Sequence, residues 1–92
     1  MDPQLKKELK TRLRSAQGHL GGIERMIEED VYCIDIIRQI QAVQRALHRV
    51  AAKVLDNHLR TCVTRVLRSE DAEEQERVLQ EILDVFEVSD RI

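Results

Sequence analysis

A long stretch without helix breakers constrains the fold of this sequence more than any other feature. From Val31 to Arg68 there is neither glycine nor proline, and apolar residues return every three or four positions. That period predicts one amphipathic helix of more than thirty residues. Its apolar positions are Ile34, Ile37, Ile40, Val43, Leu47, Val50, Val54 and Leu55, and Leu59, Cys62 and Val66 continue the pattern.

A second helix is expected before this stretch. Pro3 suits a first helical turn and Asp2 suits the capping position before it. An apolar stripe with helical spacing follows, made of Leu5, Leu9, Leu13, Ala16, Leu20, Ile23 and Ile27. Glycine is costly inside a helix. Gly18, Gly21 and Gly22 within this stripe therefore predict a close approach of another backbone or, alternatively, a break between two short helices.

Aspartates mark the starts of the central helix and of a shorter helix after it. Asp30 is expected to cap the central helix, which places Cys33 in its first turn. Asp71 and Glu74 have the spacing of a capping box. The apolar face of this last helix consists of Val78, Leu79, Ile82, Leu83, Val85 and Phe86. With 92 residues, the chain is interpreted as a single all-α domain over residues 1–92.

Composition and charge limit the function classes. No apolar run reaches the about 18 residues of a membrane span, and the N-terminus has no hydrophobic secretory stretch, so we expect a cytoplasmic protein without a membrane partner. No glycine-rich phosphate loop is present, and a helical bundle offers little cleft, which argues against an enzyme. The net charge is −2, yet residues 1–25 are basic on balance, which permits contact with nucleic acid.

One histidine and two cysteines are candidate metal ligands. His58 and Cys62 are four residues apart, so they share one face of a helix. On a continuous helix Cys33 lies roughly 37 Å from His58. The third ligand is therefore expected from an antiparallel partner chain, with two identical sites per dimer. Two thiolates and an imidazole suit Cu(I), or Zn(II) with a fourth ligand. A packed cysteine beside a surface histidine is the alternative.

The segments RLRSAQGHLGGIERMIEEDVYCIDIIRQIQAVQRAL and VLDNHLRTCV closely resemble the copper-sensitive operon repressor family, which also contains nickel/cobalt, formaldehyde and persulfide sensors. The resemblance covers roughly residues 5–68 and extends loosely into the third helix. It implies three-helix protomers that form antiparallel dimers with a four-helix bundle, and dimers that pair into a homotetramer. It also implies a repressor that binds operator DNA until its inducer binds.

Individual residues match the copper sensors of this family. Cys33, His58 and Cys62 match their Cys-His-Cys ligand set, so the resemblance implies Cu(I) as the inducer, with zinc or nickel as alternatives. Tyr32 matches a tyrosine that supports the ligands from an outer shell, and Glu81 is the best match for a glutamate in the same role.

DNA binding is expected from basic residues on the faces of the tetramer. The candidate contacts are Arg12, Arg14, Arg49 and Lys53. Many family members carry a basic residue where this chain has Ser15, and an arginine where it has Gly21. Two missing charges should weaken phosphate contacts and their salt dependence. A structural or metal-buffering bundle without a DNA function is therefore an alternative.

Family members that sense other inducers use different sensing residues. Nickel/cobalt sensors have a histidine near the N-terminus, which MDPQLKK lacks. Formaldehyde sensors use an N-terminal proline, whereas Pro3 lies behind Asp2. Persulfide sensors use the two cysteines but lack a histidine at the position of His58. The sequence thus favours a copper-responsive repressor, and the other inducers remain alternatives.

Overall fold

The computed structural model describes residues 1–90, with side chains described up to residue 85, so the predicted apolar role of Phe86 lies outside the described side chains. The described chain is all-helical, as expected, and contains no strand. Its elements are α1 (Pro3–Glu28), α2 (Cys33–His58), a π-helical segment (Leu59–Val63), α3 (Thr64–Leu67) and α4 (Ala72–Asp90). Because α2, the π-helical segment and α3 follow without a gap, they form the long central helix, and the three-helix prediction is confirmed.

The chain forms two compact units, one of Met1–Leu55 and one that begins at Asp56. The single domain expected over residues 1–92 stays a prediction. None of the described helices combines the length and the apolar character that crossing a membrane requires.

In the first unit, α1 and α2 are antiparallel. Lys53 Nζ lies 3.1 Å from Glu8 Oε1, and His19 Nε2 lies 2.7 Å from Gln39 Oε1. The start of α1 therefore lies beside the end of α2, and the two helices run in opposite directions. The buried residues of this unit are Leu9, Ala16, Ile23 and Val43. The three on α1 are spaced by seven residues, which is close to two helical turns, so they form one stripe.

The structure of α1 tests two predictions from the sequence, the Asp2 cap and the effect of the glycines. The Asp2 carboxylate accepts a hydrogen bond from the Leu5 backbone N–H at 3.2 Å, which confirms the predicted cap. The alternative of a helix break at the glycines is wrong, because α1 runs without interruption to Glu28. A Cβ atom at Gly18 or Gly21 would meet nothing within 4 Å. Neither glycine is needed for a close approach inside the protomer.

The turn between α1 and α2 is a Schellman motif. The Val31 N–H donates to the Met26 carbonyl at 3.0 Å and the Asp30 N–H to the Ile27 carbonyl at 3.2 Å. Asp30 has a φ of 54° and occupies the left-handed position that usually holds glycine. The predicted capping role of Asp30 for α2 is therefore wrong, since Asp30 completes the end of α1 instead.

The carbonyl that begins α2 belongs to Tyr32. It accepts hydrogen bonds from the N–H groups of Asp35 at 3.0 Å and Ile36 at 3.2 Å. Cys33 is consequently the first residue of α2, and its predicted place in the first turn is confirmed.

The second unit has a small core of branched side chains, contributed by Val63, Val66, Val78 and Ile82. Asp71 Oδ1 accepts hydrogen bonds from two N–H groups in the first turn of α4, both at 3.1 Å, which confirms the predicted cap. The Gln75 side-chain amide donates to the carbonyls of Leu67 at 3.4 Å and Ser69 at 2.7 Å. The turn after α3 is thereby held by the helix that follows it.

Candidate metal centre

One candidate ligand lies at the N-terminal end of α2. Cys33 is exposed and is not part of a disulfide, and it directly follows Tyr32, whose side chain is 66 % exposed. The Schellman turn before it fixes the backbone direction at this point. Thiol and phenol are therefore both at the surface, where groups from another chain can reach them.

The other two candidate ligands lie at the opposite end of α2. His58 is the last residue of α2 and is partly buried. Cys62 is exposed and lies in the π-helical segment. Sequence reasoning placed this pair on a regular helix and missed the π-helical turn between them. Such turns occur often at functional sites because they locally change which residues align along the helix.

Two threonine hydroxyls bind carbonyls around this turn. Thr61 Oγ1 donates to the Asn57 carbonyl at 2.8 Å and lies 3.6 Å from Cys62 Sγ. Thr64 Oγ1 donates to the Leu59 carbonyl, five residues earlier, at 2.8 Å. A hydroxyl that binds a carbonyl of the preceding turn competes with the regular backbone ladder. The two threonines are thus a local chemical reason for the widened turn, which sequence periodicity could not reveal.

A single protomer does not assemble the predicted ligand set. Within the part of the chain that the structure describes, no three His, Cys, Asp or Glu side chains are grouped so that they could hold a metal ion. The reason lies in α2, whose 26 residues run without a break from Cys33 to His58. A helix of that length spans roughly 39 Å.

The predicted outer-shell residues are both exposed, Glu81 on α4 and Tyr32 in the turn before α2. Glu81 on α4 binds Arg77, with Nη1 and Oε1 3.2 Å apart. Its expected contact with His58, and that of Tyr32, stay predictions. The donor chemistry nevertheless fits a soft ion, because two free thiols and one imidazole are groups that Cu(I) prefers.

The four candidate DNA contacts divide into two pairs. Arg12 and Lys53 both bind Glu8, at 3.2 Å and 3.1 Å. The hydrogen bond from Lys53, and to a smaller extent the one from Arg12, holds the pKa of the Glu8 carboxyl below its ordinary value. Arg14 and Arg49 are exposed, and neither takes part in an ion pair among the described residues.

Sequence reasoning missed Glu8. The four-residue spacing between Glu8 and Arg12 is a signal for an ion pair on a helix. The third partner, Lys53, comes from α2, and only the tertiary structure shows it. Ser15 and Gly21, at which the resemblance predicts basic residues, leave that part of α1 without a charge.

Known proteins resemble this chain over most of its length. The sequence pattern of a family described as metal-sensitive transcriptional repressors matches residues 5–88. The copper-sensing transcriptional repressor CsoR of Bacillus subtilis (strain 168) is 41 % identical over 81 residues, which is 88 % of this chain and 77 % of that protein. The copper-sensing transcriptional repressor RicR of Mycobacterium tuberculosis is 53 % identical over 64 residues, 70 % of this chain and 67 % of that protein.

A solved structure shows the same fold. The crystal structure of the copper-sensing repressor CsoR with Cu(I) from Geobacillus thermodenitrificans NG80-2 matches with a TM-score of 0.82 and 32 % sequence identity, covering 95 % of this chain and 88 % of that one. Together with the family match over residues 5–88, this shows that the chain belongs to the metal-sensitive transcriptional repressor family, whose members are regulators and not enzymes.

Proposed function

We propose that this member of the family is a copper-responsive repressor, which binds operator DNA in its metal-free form and releases it when Cu(I) binds. The observation that carries the proposal is the placement of three soft donors at the two ends of α2, with Cys33 at its first residue and His58 and Cys62 at its far end. The relatives named above are copper sensors, which supports the choice of metal.

The ligands of one site come from two protomers. No group of three candidate ligands occurs within the described protomer, and an uninterrupted α2 keeps Cys33 from His58. An antiparallel second copy of α2 brings Cys33 of the partner subunit to His58 and Cys62 of the first. Two-fold symmetry then repeats the site at the other end of the dimer.

An exposed apolar face supports a second copy of this chain as the partner. On α1, Leu13, Leu20 and Ile27 are 40 %, 46 % and 56 % exposed. A matching set with the same seven-residue spacing occurs on α2, in Ile40, Leu47 and Val54. A contiguous apolar surface with this period is the kind that helices bury when they form bundles. The dimer thus becomes a four-helix bundle of two α1–α2 pairs.

The pairing of dimers into a tetramer is part of the proposal. Leu79 and Leu83 of α4 are 44 % and 62 % exposed, so α4 also has apolar surface to bury. Basic residues on the tetramer faces, Arg14 and Arg49 among them, are the proposed contacts to operator phosphates. Contacts of this kind fix the position on DNA and make affinity dependent on salt.

The residues at the site have separate tasks. Cys33 and Cys62 supply thiolates from different chains, and His58 supplies one ring nitrogen while the other nitrogen is oriented by Tyr32 or Glu81. Bound Cu(I) would supply a centre that joins soft ligands of two chains. Because the ligands sit on α2 and on the π-helical segment before α3, their convergence favours one arrangement of these helices over another. A coupling of about 1–3 kcal/mol to DNA affinity is typical of such linkage.

The decisive experiment titrates purified protein with Cu(I) in an anaerobic buffer and measures its affinity for DNA from its own promoter region. The proposal expects a fall in affinity of roughly 5- to 150-fold at saturation. Unchanged DNA affinity at saturating Cu(I) would end the copper proposal.

A sulfur-responsive repressor is the second candidate, because both cysteines are exposed and uncombined. His58→Ala distinguishes the two. A copper sensor loses its response in this variant, whereas a sensor that links Cys33 to Cys62 through sulfur keeps its response to polysulfide. Nickel, zinc and formaldehyde are tested in the same assay as alternative inducers.

A further inference from the structure

Two cations converge on a single carboxylate oxygen in the α1–α2 hairpin. Glu8 Oε1 accepts a hydrogen bond from Arg12 Nε at 3.2 Å, and Arg12 Nη2 and Lys53 Nζ lie 3.2 Å and 3.1 Å from the same oxygen, within ion-pair distance. Arg12 follows Glu8 by one turn of α1, whereas Lys53 comes from α2. One anion therefore collects a guanidinium and an ammonium from two different helices.

The cluster is accessible from outside. The side chains of Arg12 and Lys53 are each 40 % exposed and that of Glu8 is 42 % exposed. Water, or the oxygen of a passing anion, can reach all three. Exposed ion pairs in this environment contribute little to stability, so the carboxylate can be displaced without unfolding the hairpin.

The geometry is that of a phosphate contact with a carboxylate in place of the phosphate. Arginine and lysine together on one oxygen are typical of phosphodiester recognition, in which both cations donate to the same anionic group. The resemblance to the repressor family gave Arg12 and Lys53 the role of DNA contacts. In the protomer, both already donate to an anion of their own chain.

We propose that Arg12 and Lys53 form one binding site for a backbone phosphate, and that Glu8 is an internal competitor for that site. The inference rests on the proposed function for the identity of the polyanion, which is DNA. Glu8 lowers the affinity of the free repressor for any duplex, because a phosphate must displace it. The penalty is the same for every sequence, because a phosphate contact carries no sequence information.

The experiment compares Glu8→Gln with a matched control, Glu24→Gln. Glu24 lies on the same helix, is exposed, and takes part in no ion pair among the described residues. Both variants remove one negative charge, so only the local competition differs. Binding of the metal-free proteins to a labelled duplex of random sequence is measured by fluorescence anisotropy over a range of KCl concentrations.

Glu8→Gln should bind the duplex about eightfold more tightly than wild type at 0.1 M salt, with a log–log salt slope steeper by about one, as expected for one additional neutralised phosphate. Glu24→Gln should change the affinity less than about twofold, because its charge is screened from the site. Adding Lys53→Gln to Glu8→Gln should remove most of the gain. Equal effects of Glu8→Gln and Glu24→Gln would overturn the proposal.

A heparin column separates this inference from the proposed function, because its polysulfate requires neither an operator nor copper. Later elution of Glu8→Gln than of Glu24→Gln, with no variant binding duplex, supports the competition and contradicts the DNA role. Tight duplex binding by all variants without a Glu8 effect supports the DNA role and contradicts the competition.

If circular dichroism shows that Glu8→Gln is unfolded, Glu8→Asp replaces it. The shorter acid should bind DNA more tightly than wild type, and unchanged binding would contradict the competition.

Discussion

His58 is the last residue of α2, and Cys62 lies four residues further on, inside the π-helical segment Leu59–Val63. The turn between them is therefore wider than that of an α-helix. Thr61 contacts both ends of this turn through the Asn57 carbonyl and Cys62 Sγ. A hydroxyl that is not itself a candidate ligand thus contacts both the backbone of this turn and one of the two candidate ligands.

Replacing Thr61 with valine should weaken Cu(I) binding. Valine keeps the branched shape but removes the hydroxyl that binds the Asn57 carbonyl and contacts the sulfur. We expect a loss of about tenfold in Cu(I) affinity, the lower end of the range for residues that orient ligands. Competition with a chromophoric Cu(I) chelator measures it. Thr61→Ser retains the hydroxyl and should stay near wild type, and equal losses in both variants would contradict this role.

Mixing two inactive variants should restore copper sites if the ligands come from two chains. Cys33→Ser and Cys62→Ser each lack one ligand in both sites of their own homodimers. In a mixed dimer, one site loses both thiols and the other is complete. Tight Cu(I) binding should therefore appear only after the two proteins are unfolded together and refolded. A site contained within one chain would show no recovery in the mixture.

A charge in the apolar face should dissociate the dimer. Leu47 is 42 % exposed in the protomer, and Leu47→Glu would bury a carboxylate in the proposed interface, which is unfavourable without a partner. We expect a shift to monomer in sedimentation velocity and, with it, loss of tight Cu(I) binding. Gln41→Glu places the same charge at another exposed position of α2 and should keep the assembly. An intact oligomer of Leu47→Glu would show that this face is not the interface.

The left-handed residue between α1 and α2 offers a way to stabilise the protein. Asp30 has a φ of 54°, a conformation that glycine adopts without strain. Asp30→Gly should raise the free energy of unfolding by about 1 kcal/mol, the order of the left-handed penalty for a residue with a Cβ atom, measured by urea denaturation at a fixed protomer concentration. The neighbouring Glu29 has a φ of −87°, which is not left-handed. Glu29→Gly therefore relieves no backbone strain and should be neutral or destabilising. Greater stability of Glu29→Gly than of Asp30→Gly would refute the explanation.

Acid should remove the contribution of the Glu8 cluster to stability. The bonds from Lys53 and Arg12 depress the pKa of the Glu8 carboxyl in the folded protein. The stabilisation is therefore fully present above the ordinary glutamate pKa and is lost as the pH falls through the depressed value. The thermal midpoints of wild type and Glu8→Gln should differ most at neutral pH and converge once the pH falls below the depressed pKa of Glu8. A difference that persists in acid would mean that Glu8 does not act through its charge.

The sequence predicted those parts of the fold that depend on local chemistry. The apolar period, Asp2 and Asp71 gave the three helices and two of their caps, because periodicity and capping act within a few residues. The Asp30 cap was wrong because the same residue type suits both a helix start and a left-handed turn, and the hydrogen bonds of Val31 decide between them.

The candidate site was predicted in its residue types but not in its details. The donor spacing identified Cys33, His58 and Cys62, and their shared role between two chains stays a prediction. The π-helical segment could not be predicted from the sequence, because Thr61 and Thr64 are compatible with a regular helix as well. Glu8 was missed for a different reason, since its second cation comes from a helix some forty-five residues away in the sequence.

The exposed stripe of Leu13, Leu20 and Ile27 has a consequence for how such a sensor responds in a cell. When one of the three ligands of each proposed site arrives only with a second chain, dilution removes the sites along with the assembly, by mass action. The apparent threshold for copper then depends on how many copies of the repressor a cell holds. A cell that makes more of this protein would thereby acquire a more sensitive detector as well as a larger supply of repressor.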